Sequence, residues 1–546
     1  MARLFAGIDV GTGSARAGLF DAAGTLMGVA RHPIRTWREA GEIAEQSSDD
    51  IWAASAAALR EAMHGAGASA ADVAGLAFDA TCSLVVLDGQ GRPLAAGPSG
   101  DAQRNVIVWM DHRAIGEARD IDATRSDVLR YVGGVISPEM EMPKLLWLKR
   151  NMPEQFAAAR DFFDLTDFLS WRATGSRVRS LCTVTCKWTY LAHERRWDDD
   201  FLRAIGLAAL AADSHARIGE TMAAPGTAVG NGLSASAAAD LGLEPGTPVA
   251  AGLIDAHAGG VGTLGGTSVD GQANDPLRRI AYIMGTSACI MATTREPVFV
   301  PGVWGPYFSA MVPGRWLSEG GQSAAGSAVD HVVRTHPAFA IANAAAADAG
   351  LNLLDYLERR VADRFATTSE AAYLAADRHM LPEYLGNRSP HAEPESRAVA
   401  VGLGLDDSTE DLMRSYVAAL CGIAYGLAEV ADALRAHGIA STAIVASGGA
   451  SHSGLVRQIM ADATGLPVVL SETAEPVLLG TSMLAAVAAG EHASLGAAMT
   501  AMARDRETTR QTDPAVRAFH EAKRKIHSGM RHLEREARGS MRRWTA

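Results

Sequence analysis

Short apolar runs separated by glycine-rich turns open the chain. The run LFAGIDV ends in the turn GTGS, the run ARAGLFD follows, and TLMGVARHPI comes after the turn AAG. Each run has the length and the bounding turns of a β-strand. The order predicts strand, turn, strand, turn and strand. It lacks the helix that must follow the glycines of a P-loop or of a dinucleotide-binding fingerprint.

Helical periodicity first occurs at residues 48–64, where an apolar stripe runs along DDIWAASAAALREAMH. The segment VAGLAFDATCSLVVLD then predicts buried strands on either side of a polar centre at residues 79–83. Strands that alternate with helices in this way indicate an α/β sheet.

The opening pattern occurs a second time in the middle of the chain. The Gly-rich passage GLIDAHAGGVGTLGG predicts a domain junction, and RRIAYIMGTSACIMATT after it again reads as strand, Gly-Thr turn and strand. This weak repetition indicates a duplicated α/β domain whose two copies close a cleft, with one glycine turn on each wall.

Helices and strands also alternate in the last part of the chain. We predict a long helix that ends at Gly438, then the strand TAIVAS, the turn GGAS, the helix GLVRQIMADATG, the strand PVVLSE and the helix LLGTSMLAAVAAG. The tail from Pro514 predicts an amphipathic helix packed on the body through these apolar residues: Val516, Phe519, Ile526, Met530 and Leu533.

Length and charge narrow the class of protein. A chain of 546 residues is too long to fold around one hydrophobic core. We therefore expect domains at 1–265 and 266–495 with a helical tail at 496–546. The formal net charge of −12 argues against a nucleic-acid partner, since such binding needs a basic face. No run of eighteen apolar residues and no leader pattern occurs, so we expect a cytoplasmic protein without a membrane role.

Cysteine usage points to a reducing compartment. The five cysteines are odd in number and lack CxxC spacing, which predicts no disulfide framework; they are Cys82, Cys182, Cys186, Cys289 and Cys421. Cys182 and Cys186 could be metal ligands, but two further ligands at suitable spacing are missing, and the spacing does not suggest a zinc site.

The glycine turns could hold an anion. In the first turn Thr12 and Ser14 add hydroxyl donors, Arg16 adds a positive charge, and Asp9 at the end of the strand could hold hydrated Mg²⁺ beside phosphates. The turn MGTSAC has the same kinds of donor. For either turn alone an ordinary hairpin is the simpler interpretation, but two such turns could clamp the phosphates of a nucleotide between two domains.

Three charged residues could act on a substrate. Asp255, after an apolar run and before glycines, could accept the proton of a hydroxyl that attacks phosphorus. Lys187 and Glu319 each lie beside aromatic residues, an arrangement suited to a polyhydroxy compound. A structural Asp and two surface charges are the alternative interpretations.

Taken in order, the motifs resemble a known family over nearly the whole chain. They are GIDVGTGSARAGLFD, FDATCSLV, VWMDHRA, TCKWTYL, GLIDAHAGG, IMGTSACIMA, WGPYFSAMVPGRWLSEGGQSAAG and IVASGGASHSGLVRQIMADATGLPV. This set resembles the FGGY carbohydrate kinases, especially their ribulokinase-like branch. The resemblance implies an α/β fold of two ribonuclease H-like domains, of the actin, Hsp70 and hexokinase superfamily, with ATP and sugar meeting in the cleft.

The resemblance also implies residue roles. Asp255 would be the general base, and Mg²⁺ would lie at Asp9 and Asp255. The implied sugar contacts are Cys82, Ser83, Asp111, Lys187, Asp255 and Glu319. The implied ATP contacts are Gly11, Thr12, Gly13, Ser14, Arg16, Gly285, Thr286, Gly326, Gly448, Gly449 and Ser453. Ser453 stands where the family often has Asn, which leaves the adenine contact open.

We therefore expect transfer of phosphate from ATP to the terminal hydroxyl of a pentulose, with D-ribulose first among the candidates, by a homodimer. L-ribulose, ribitol or another ketose or polyol is the nearest alternative. An actin-like or Hsp70-like ATP-binding module without sugar kinase activity is the alternative of another class.

Overall fold

The computed structural model describes residues 3–39 and 43–544. The strands up to residue 265 are β1 (Leu4–Val10), β2 (Ser14–Phe20), β3 (Leu26–Pro33), β4 (Thr36–Glu39), β5 (Ile43–Gln46), β6 (Val73–Ala80), β7 (Leu84–Leu87), β8 (Val106–Ile107), β9 (Asp161–Asp164), β10 (Arg179–Ser180), β11 (Met222–Ala223) and β12 (Leu253–Ile254). The helices are α1 (Ser48–Ala66), α2 (Ile115–Ala123), α3 (Glu141–Asn151), α4 (Pro153–Ala158), α5 (Leu165–Thr174), α6 (Leu181–Lys187), α7 (Asp199–Ala204), α8 (Ala235–Leu241) and α9 (Asp255–Leu264).

The remainder of the chain continues the alternation. Its strands are β13 (Arg279–Met284), β14 (Ala288–Thr294), β15 (Trp304–Phe308), β16 (Trp316–Gln322), β17 (His379–Leu381), β18 (Val399–Val401), β19 (Ala443–Ser447), β20 (Val468–Ser471) and β21 (Asp505–Thr509). Its helices are α10 (Gly326–Thr335), α11 (Phe339–Asp348), α12 (Leu353–Ala362), α13 (Thr409–Ala436), α14 (Gly454–Thr464), α15 (Pro476–Ala488), α16 (Leu495–Met502) and α17 (Pro514–Met541).

Two large sheets share one strand order. The first runs β3-β2-β1-β6-β12, and the second contains β16-β14-β13-β19-β20, with β15 and β21 added at its edges. In each sheet a β-hairpin is followed by parallel strands on the side of its first strand. The predicted duplication is confirmed, and the fold is the expected pair of ribonuclease H-like α/β domains around a cleft.

Burial explains why the sequence pattern reveals some strands better than others. Every residue of β1 is buried, because the strand lies in the middle of the sheet between β2 and β6 and is covered on both faces. The edge strand β3 alternates between exposed and more buried residues instead. The apolar run LFAGIDV therefore marks a central strand of the first sheet.

Helices α9 and α15 exchange sheets at the junction of the two domains. Helix α9 follows the first sheet but packs on β13 and β19, whereas α15 follows the second sheet but packs on β1 and β6. The Gly-rich passage after Asp255 is thus a helix rather than a loop. Because each helix crosses to the other sheet, the domain bounds at 265 and 495 stay a prediction.

The two helices cross at very short distance. A Cβ at Gly480 would lie 1.9 Å from the carbonyl oxygen of Ala258, and one at Gly262 would lie 1.9 Å from that of Pro476. Neither position can carry a side chain without moving the backbone of the other helix. The glycines predicted as a junction are therefore needed for helix packing.

The long predicted helix is α13, in the core of the second domain. Gly438 follows its C-terminal end at φ 89°, as the sequence predicts. Among the described residues α13 is the one helix long and apolar enough to cross a membrane, and 78% of its most apolar stretch is buried inside the molecule. That burial is typical of a core helix.

The tail differs from the prediction in two respects. Residues 496–546 contribute the strand β21, which pairs antiparallel with β20, in addition to helices. Helix α17 packs on the body, but Ile526 and Leu533 are 40% and 57% exposed and the predicted apolar face is wrong in part. Its buried residues are Val516, His520, Lys523, His527, Met530 and Arg531. Ion pairs explain this polar face, since Arg531 binds Glu383 and Glu429.

Candidate active site

Three carboxylates lie at the carboxyl ends of adjacent parallel strands. Asp9 near the end of β1 is the register partner of Asp79 in β6, and Asp255 follows β12, which pairs with β6 at Leu253. Ligands of open α/β sheets bind outside this edge. The sequence predictions included Asp9 and Asp255 and missed Asp79, although it ends a buried strand in the same way as Asp9.

The pKa values of two of these carboxylates, Asp79 and Asp255, are raised. Burial, followed by the charge of Asp9, raises the pKa of Asp255 to about 6. Burial and the charge of Asp9 also raise the pKa of Asp79, which accepts a hydrogen bond from the hydroxyl of Thr481 in α15. An acid with a pKa near neutrality that remains ionised is suited to accepting a proton.

Arg16 partly compensates this negative charge. Its Nε donates to Asp9 Oδ2 at 2.8 Å, and its NH1 lies 3.0 Å from Glu475 Oε2, just before α15. The predicted phosphate contact is thus bound to two carboxylates in this structure. It joins the first glycine turn to the N-terminus of α15 across the domain junction.

The first glycine turn is the tip of the β1–β2 hairpin. Gly11 N donates to Ser14 O at 3.0 Å and closes the tip, on which Gly13 is exposed. Thr12 Oγ1 accepts from Trp109 Nε1 at 2.9 Å, and Ser14 Oγ accepts from Arg31 Nε at 2.8 Å. Since both oxygens are accepting, their hydroxyl protons can be donated to an anion.

The second turn is the tip of the β13–β14 hairpin, with Gly285 and Thr286 exposed. Gly326 N donates to Gly285 O at 3.0 Å, and a Cβ on Gly326 would lie 2.5 Å from that oxygen. Gly448 has φ 87°, and its Cβ would lie 2.3 Å from Met284 O. The predicted segments around Gly285, Gly326 and Gly448 therefore meet at one end of the second sheet.

Ser453, a predicted ATP contact, also has a structural role. Its Oγ accepts from Val456 N at 3.0 Å and caps α14. Directly after it, Gly454 and Leu455 line a cavity of about 440 Å³ whose other wall contains Val361 and Phe365. The cavity lies a few residues after the turn GGAS, which begins with Gly448 and in which Gly449 is exposed.

Lys187 and Glu319 meet across the two domains. Lys187 Nζ, at the end of α6, lies 3.5 Å from Glu319 Oε1 in β16 and 4.4 Å from the ring centroid of Trp304. Glu319 Oε2 lies 3.3 Å from His257 Nε2. Burial opposes its ionisation, but Lys187 and His257 hold the pKa of Glu319 at about 2. The sequence prediction that paired Lys187 and Glu319 in one site fits this geometry.

Two other predicted sugar contacts lie between β6 and β7. Cys82 is buried, and burial raises the pKa of its thiol. The positive charge of Lys187 acts in the opposite direction. Ser83 Oγ lies 3.1 Å from Thr81 Oγ1 and accepts from Trp109 N at 3.1 Å. Trp109 also binds Thr12, so one tryptophan connects this segment to the first glycine turn.

Asp111 is held by hydrogen bonds within the protein. The side chain is fully buried, and Oδ1 accepts from Arg113 Nε at 2.8 Å while Oδ2 accepts from Ala44 N at 2.7 Å. Arg113 also binds Glu45. These bonds occupy the Asp111 carboxylate inside the protein. The residue therefore supports the structure around β5 and β8, and its contact with a sugar stays a prediction.

Sequence reasoning missed four further side chains around Glu319, namely Glu139, His257, Trp304 and Arg388. Arg388 lies 5.3 Å from the Trp304 ring centroid, and its NH2 lies 3.4 Å from Glu139 Oε1. His257 and Trp304 stand inside motifs already recognised. Arg388 comes from the irregular segment 382–398, and nothing in its local pattern marks it.

Comparison with known proteins shows the family of the chain. Residues 4–262 match the N-terminal domain and residues 280–489 the C-terminal domain of the FGGY family of carbohydrate kinases. An FGGY carbohydrate kinase domain-containing protein of Homo sapiens is 46% identical over 92% of this chain and 91% of its own length. A D-ribulokinase of Saccharomyces cerevisiae is 35% identical over 89% of this chain and 72% of its own.

A solved structure of xylulose kinase from Rhodospirillum rubrum has the same fold, with a TM-score of 0.76 at 22% identity over 99% of both chains. The duplicated sheets, the clustered carboxylates and the two family matches, which together cover most of the sequence, lead to one conclusion: the chain belongs to the FGGY family of carbohydrate kinases.

Proposed function

We propose that the protein transfers the γ-phosphoryl group of ATP to the terminal hydroxyl of a pentulose, D-ribulose above all, giving the sugar 5-phosphate and ADP. The observation that carries the proposal is the position of Asp255. Asp255 follows β12, which pairs with β6 next to β1 and the first glycine turn. It also begins α9, where His257 Nε2 lies 3.3 Å from Glu319 Oε2 among the predicted sugar contacts. The base thus lies between the nucleotide side and the sugar side of the cleft.

In the proposed reaction the sugar hydroxyl oxygen attacks the γ-phosphorus and the bond to the ADP oxygen breaks. Asp255 takes the hydroxyl proton late, because phosphoryl transfer has a loose transition state. Ala256 N donates to Asp255 Oδ1 at 2.7 Å and fixes the carboxylate, and we assign the proton transfer to Oδ2. Closure of the domains would exclude water and limit ATP hydrolysis.

The glycine turns would hold the phosphates from both domains. On one side Thr12 and Ser14 offer hydroxyl protons, and on the other Gly285 and Thr286 offer an exposed tip. We place the adenine in the cavity after Ser453, where Phe365, Val361 and Leu455 supply apolar surface.

Mg²⁺ fits the same site. Asp9 and Asp79 are buried and Asp255 is half-buried at one edge of the first sheet, and Arg16 supplies a single positive charge there. Mg²⁺ prefers oxygen ligands of this kind. When bound, the ion would neutralise charge on the phosphates. We propose that Asp9 and Asp255 hold it, with Asp79 as a further neighbour.

D-ribulose is proposed because the yeast relative over nearly the whole chain is a D-ribulokinase. Lys187 and Glu319 would bind sugar hydroxyls, with Trp304 as an aromatic surface beside them. L-ribulose is the mirror image of D-ribulose, with C3 and C4 both inverted, and ribitol has a hydroxyl in place of the C2 carbonyl. These two compounds are the competing substrates. A cytoplasmic homodimer completes the proposal.

The first test is a panel of D- and L-ketopentoses and pentitols, with ADP formation followed in a coupled assay. D-ribulose is expected to give the highest kcat/KM, and the isolated product should be the 5-phosphate. ADP release that does not depend on any sugar would contradict the kinase assignment. A clear preference for L-ribulose or ribitol would leave the kinase assignment intact and replace D-ribulose.

Asp255→Asn tests the base. We expect kcat to fall by about 10²- to 10⁴-fold, because the amide cannot accept the proton. MgATP binding measured by calorimetry should weaken far less than kcat falls, because Asp9 and the glycine turns remain. Asp270→Asn, at an exposed loop acid, is the matched control and should keep wild-type activity. An Asp255→Asn enzyme with near wild-type kcat would disprove the assigned role.

A further inference from the structure

Two cysteines and a histidine meet in the interior beside the proposed sugar pocket. Cys182 and Cys186 lie four residues apart on α6 and so share one side of that helix. His257 lies in the first turn of α9. All three are buried, and their sulfur and nitrogen ligand atoms lie within 4.8 Å of one another. Across residues 3–39 and 43–544 this is the one such group of three.

The ring of His257 is oriented as in a metal site. Nδ1 lies 3.0 Å from Cys182 Sγ, and Nε2 lies 3.3 Å from Glu319 Oε2. If Nε2 carries the hydrogen donated to that carboxylate, the Nδ1 lone pair faces the cysteines. Histidine ligands of metals typically donate their second nitrogen to a carboxylate in this way. The backbone N–H of Ile254 also donates to Cys182 Sγ at 3.4 Å.

The dimensions of the group suit a tetrahedral ion. Zinc binds thiolate sulfur at about 2.3 Å and imidazole nitrogen at about 2.0 Å, which puts neighbouring sulfur and nitrogen ligands about 3.5 Å apart. The separation of 3.0 Å between Cys182 Sγ and His257 Nδ1 therefore needs to open by only about half an ångström. Two sulfurs and one nitrogen are also the donor set that selects zinc-like ions over Mg²⁺.

We propose that Cys182, Cys186 and His257 form a site for one thiophilic divalent cation of the zinc class, with water as the fourth ligand. The site is separate from the Asp9–Asp255 carboxylate cluster, which offers only oxygen. It joins α6, which ends in Lys187, to α9, which begins with Asp255. The ion would act as a cross-link between two elements of the substrate pocket. The inference does not depend on which sugar is phosphorylated.

The experiment uses the full-length protein, freed of metal by a chelator and kept reduced in Mg²⁺-free buffer. Titration with Cd²⁺ should produce a thiolate-to-cadmium charge-transfer band that saturates at one ion per chain. Cys186→Ser should lose roughly half of the band, because one of two thiolates is removed, and the Cys182→Ser/Cys186→Ser double variant should lose all of it. Cys421→Ser, at a buried cysteine of α13, is the matched control and should keep it.

Zinc provides a second readout that needs no variant. X-ray absorption at the zinc edge of the one-to-one wild-type complex should find two sulfurs and at least one imidazole nitrogen around the ion. Zn²⁺ should also raise the Tm of the wild type and not that of the double variant. A first shell of nitrogen and oxygen only, no charge-transfer band, or a band retained by the folded double variant would each overturn the proposal.

Discussion

At the scale of single residues, Asp255 predicts how activity depends on pH. The carboxylate must be ionised to accept the sugar proton, and burial with the Asp9 charge raises its pKa to about 6. The charges of His257 and Lys187 act in the opposite direction. We therefore expect kcat/KM to fall about tenfold per pH unit below about pH 6 and to reach a plateau above it.

This profile is measured with MgATP and sugar at constant ionic strength. The control is recovery of full activity when enzyme held at low pH is returned to neutral pH, which separates titration from unfolding. Activity that stays level down to about pH 4.5 would mean that Asp255 titrates like an ordinary aspartate or is not the base.

Residue-level sequence patterns predicted the site unevenly. Asp9, Asp255, Lys187 and Glu319 stand in short motifs, and those motifs together with the family resemblance singled them out as predicted site residues. Arg388 was missed because its role comes from distant parts of the chain, with Glu139 249 positions away. Asp111 stands in a recognisable motif, yet its oxygens are occupied by Arg113 and Ala44 N, and no local pattern reveals such a pairing.

At the scale of elements, the close crossing of α9 and α15 predicts that the glycines at the crossing cannot be replaced by larger residues without loss of stability. Gly480→Ala would put a Cβ 1.9 Å from Ala258 O and 2.9 Å from Gly262 N. The helices must move apart, which we expect to lower the free energy of unfolding by about 1–3 kcal/mol, measured by urea denaturation. Since α9 begins with Asp255, kcat should fall as well.

Gly529→Ala in α17 is the matched control for that substitution. Its Cβ would meet nothing within 4 Å, and alanine in place of a helical glycine should raise stability by about 0.5–1 kcal/mol. If Gly480→Ala and Gly529→Ala changed the free energy of unfolding equally, the close crossing of α9 and α15 would be contradicted. The sequence predicted the helix α15 and the Gly-rich passage that forms α9. It could not predict that each helix packs on the sheet of the other domain, because hydrophobic periodicity carries no information on which sheet a helix contacts.

At the scale of the whole molecule, ion pairs join the two domains around the cleft. Lys187 pairs with Glu319, Arg16 with Glu475, and Glu139 with Arg388. The duplicated strand order could be predicted because each glycine hairpin is a local pattern. These cross-domain pairs could not, because each joins residues far apart in the sequence. We expect these pairs to couple the positions of the two domains.

The pair of Glu139 and Arg388 allows a test of this coupling. Their side chains are 15% and 8% exposed, and Arg388 also feels the charge of Glu319. Glu139→Gln leaves Arg388 without its main counter-charge and free to compete with Lys187 for Glu319. We expect the sugar KM to rise about tenfold, or about 1.4 kcal/mol, with a smaller change in kcat, since neither residue is proposed to touch the reacting atoms.

A double-mutant cycle of Glu139→Gln and Arg388→Gln isolates the interaction, measured through kcat/KM for the sugar. Because the two residues share one contact, the double variant should lose less than the sum of the two single losses. Asp120→Asn, which breaks an exposed ion pair with Arg150 inside the first domain, should leave the sugar KM unchanged and serves as control. Strictly additive losses would mean that the two domains are held together without this pair, and that segment 382–398 reaches the pocket for packing alone.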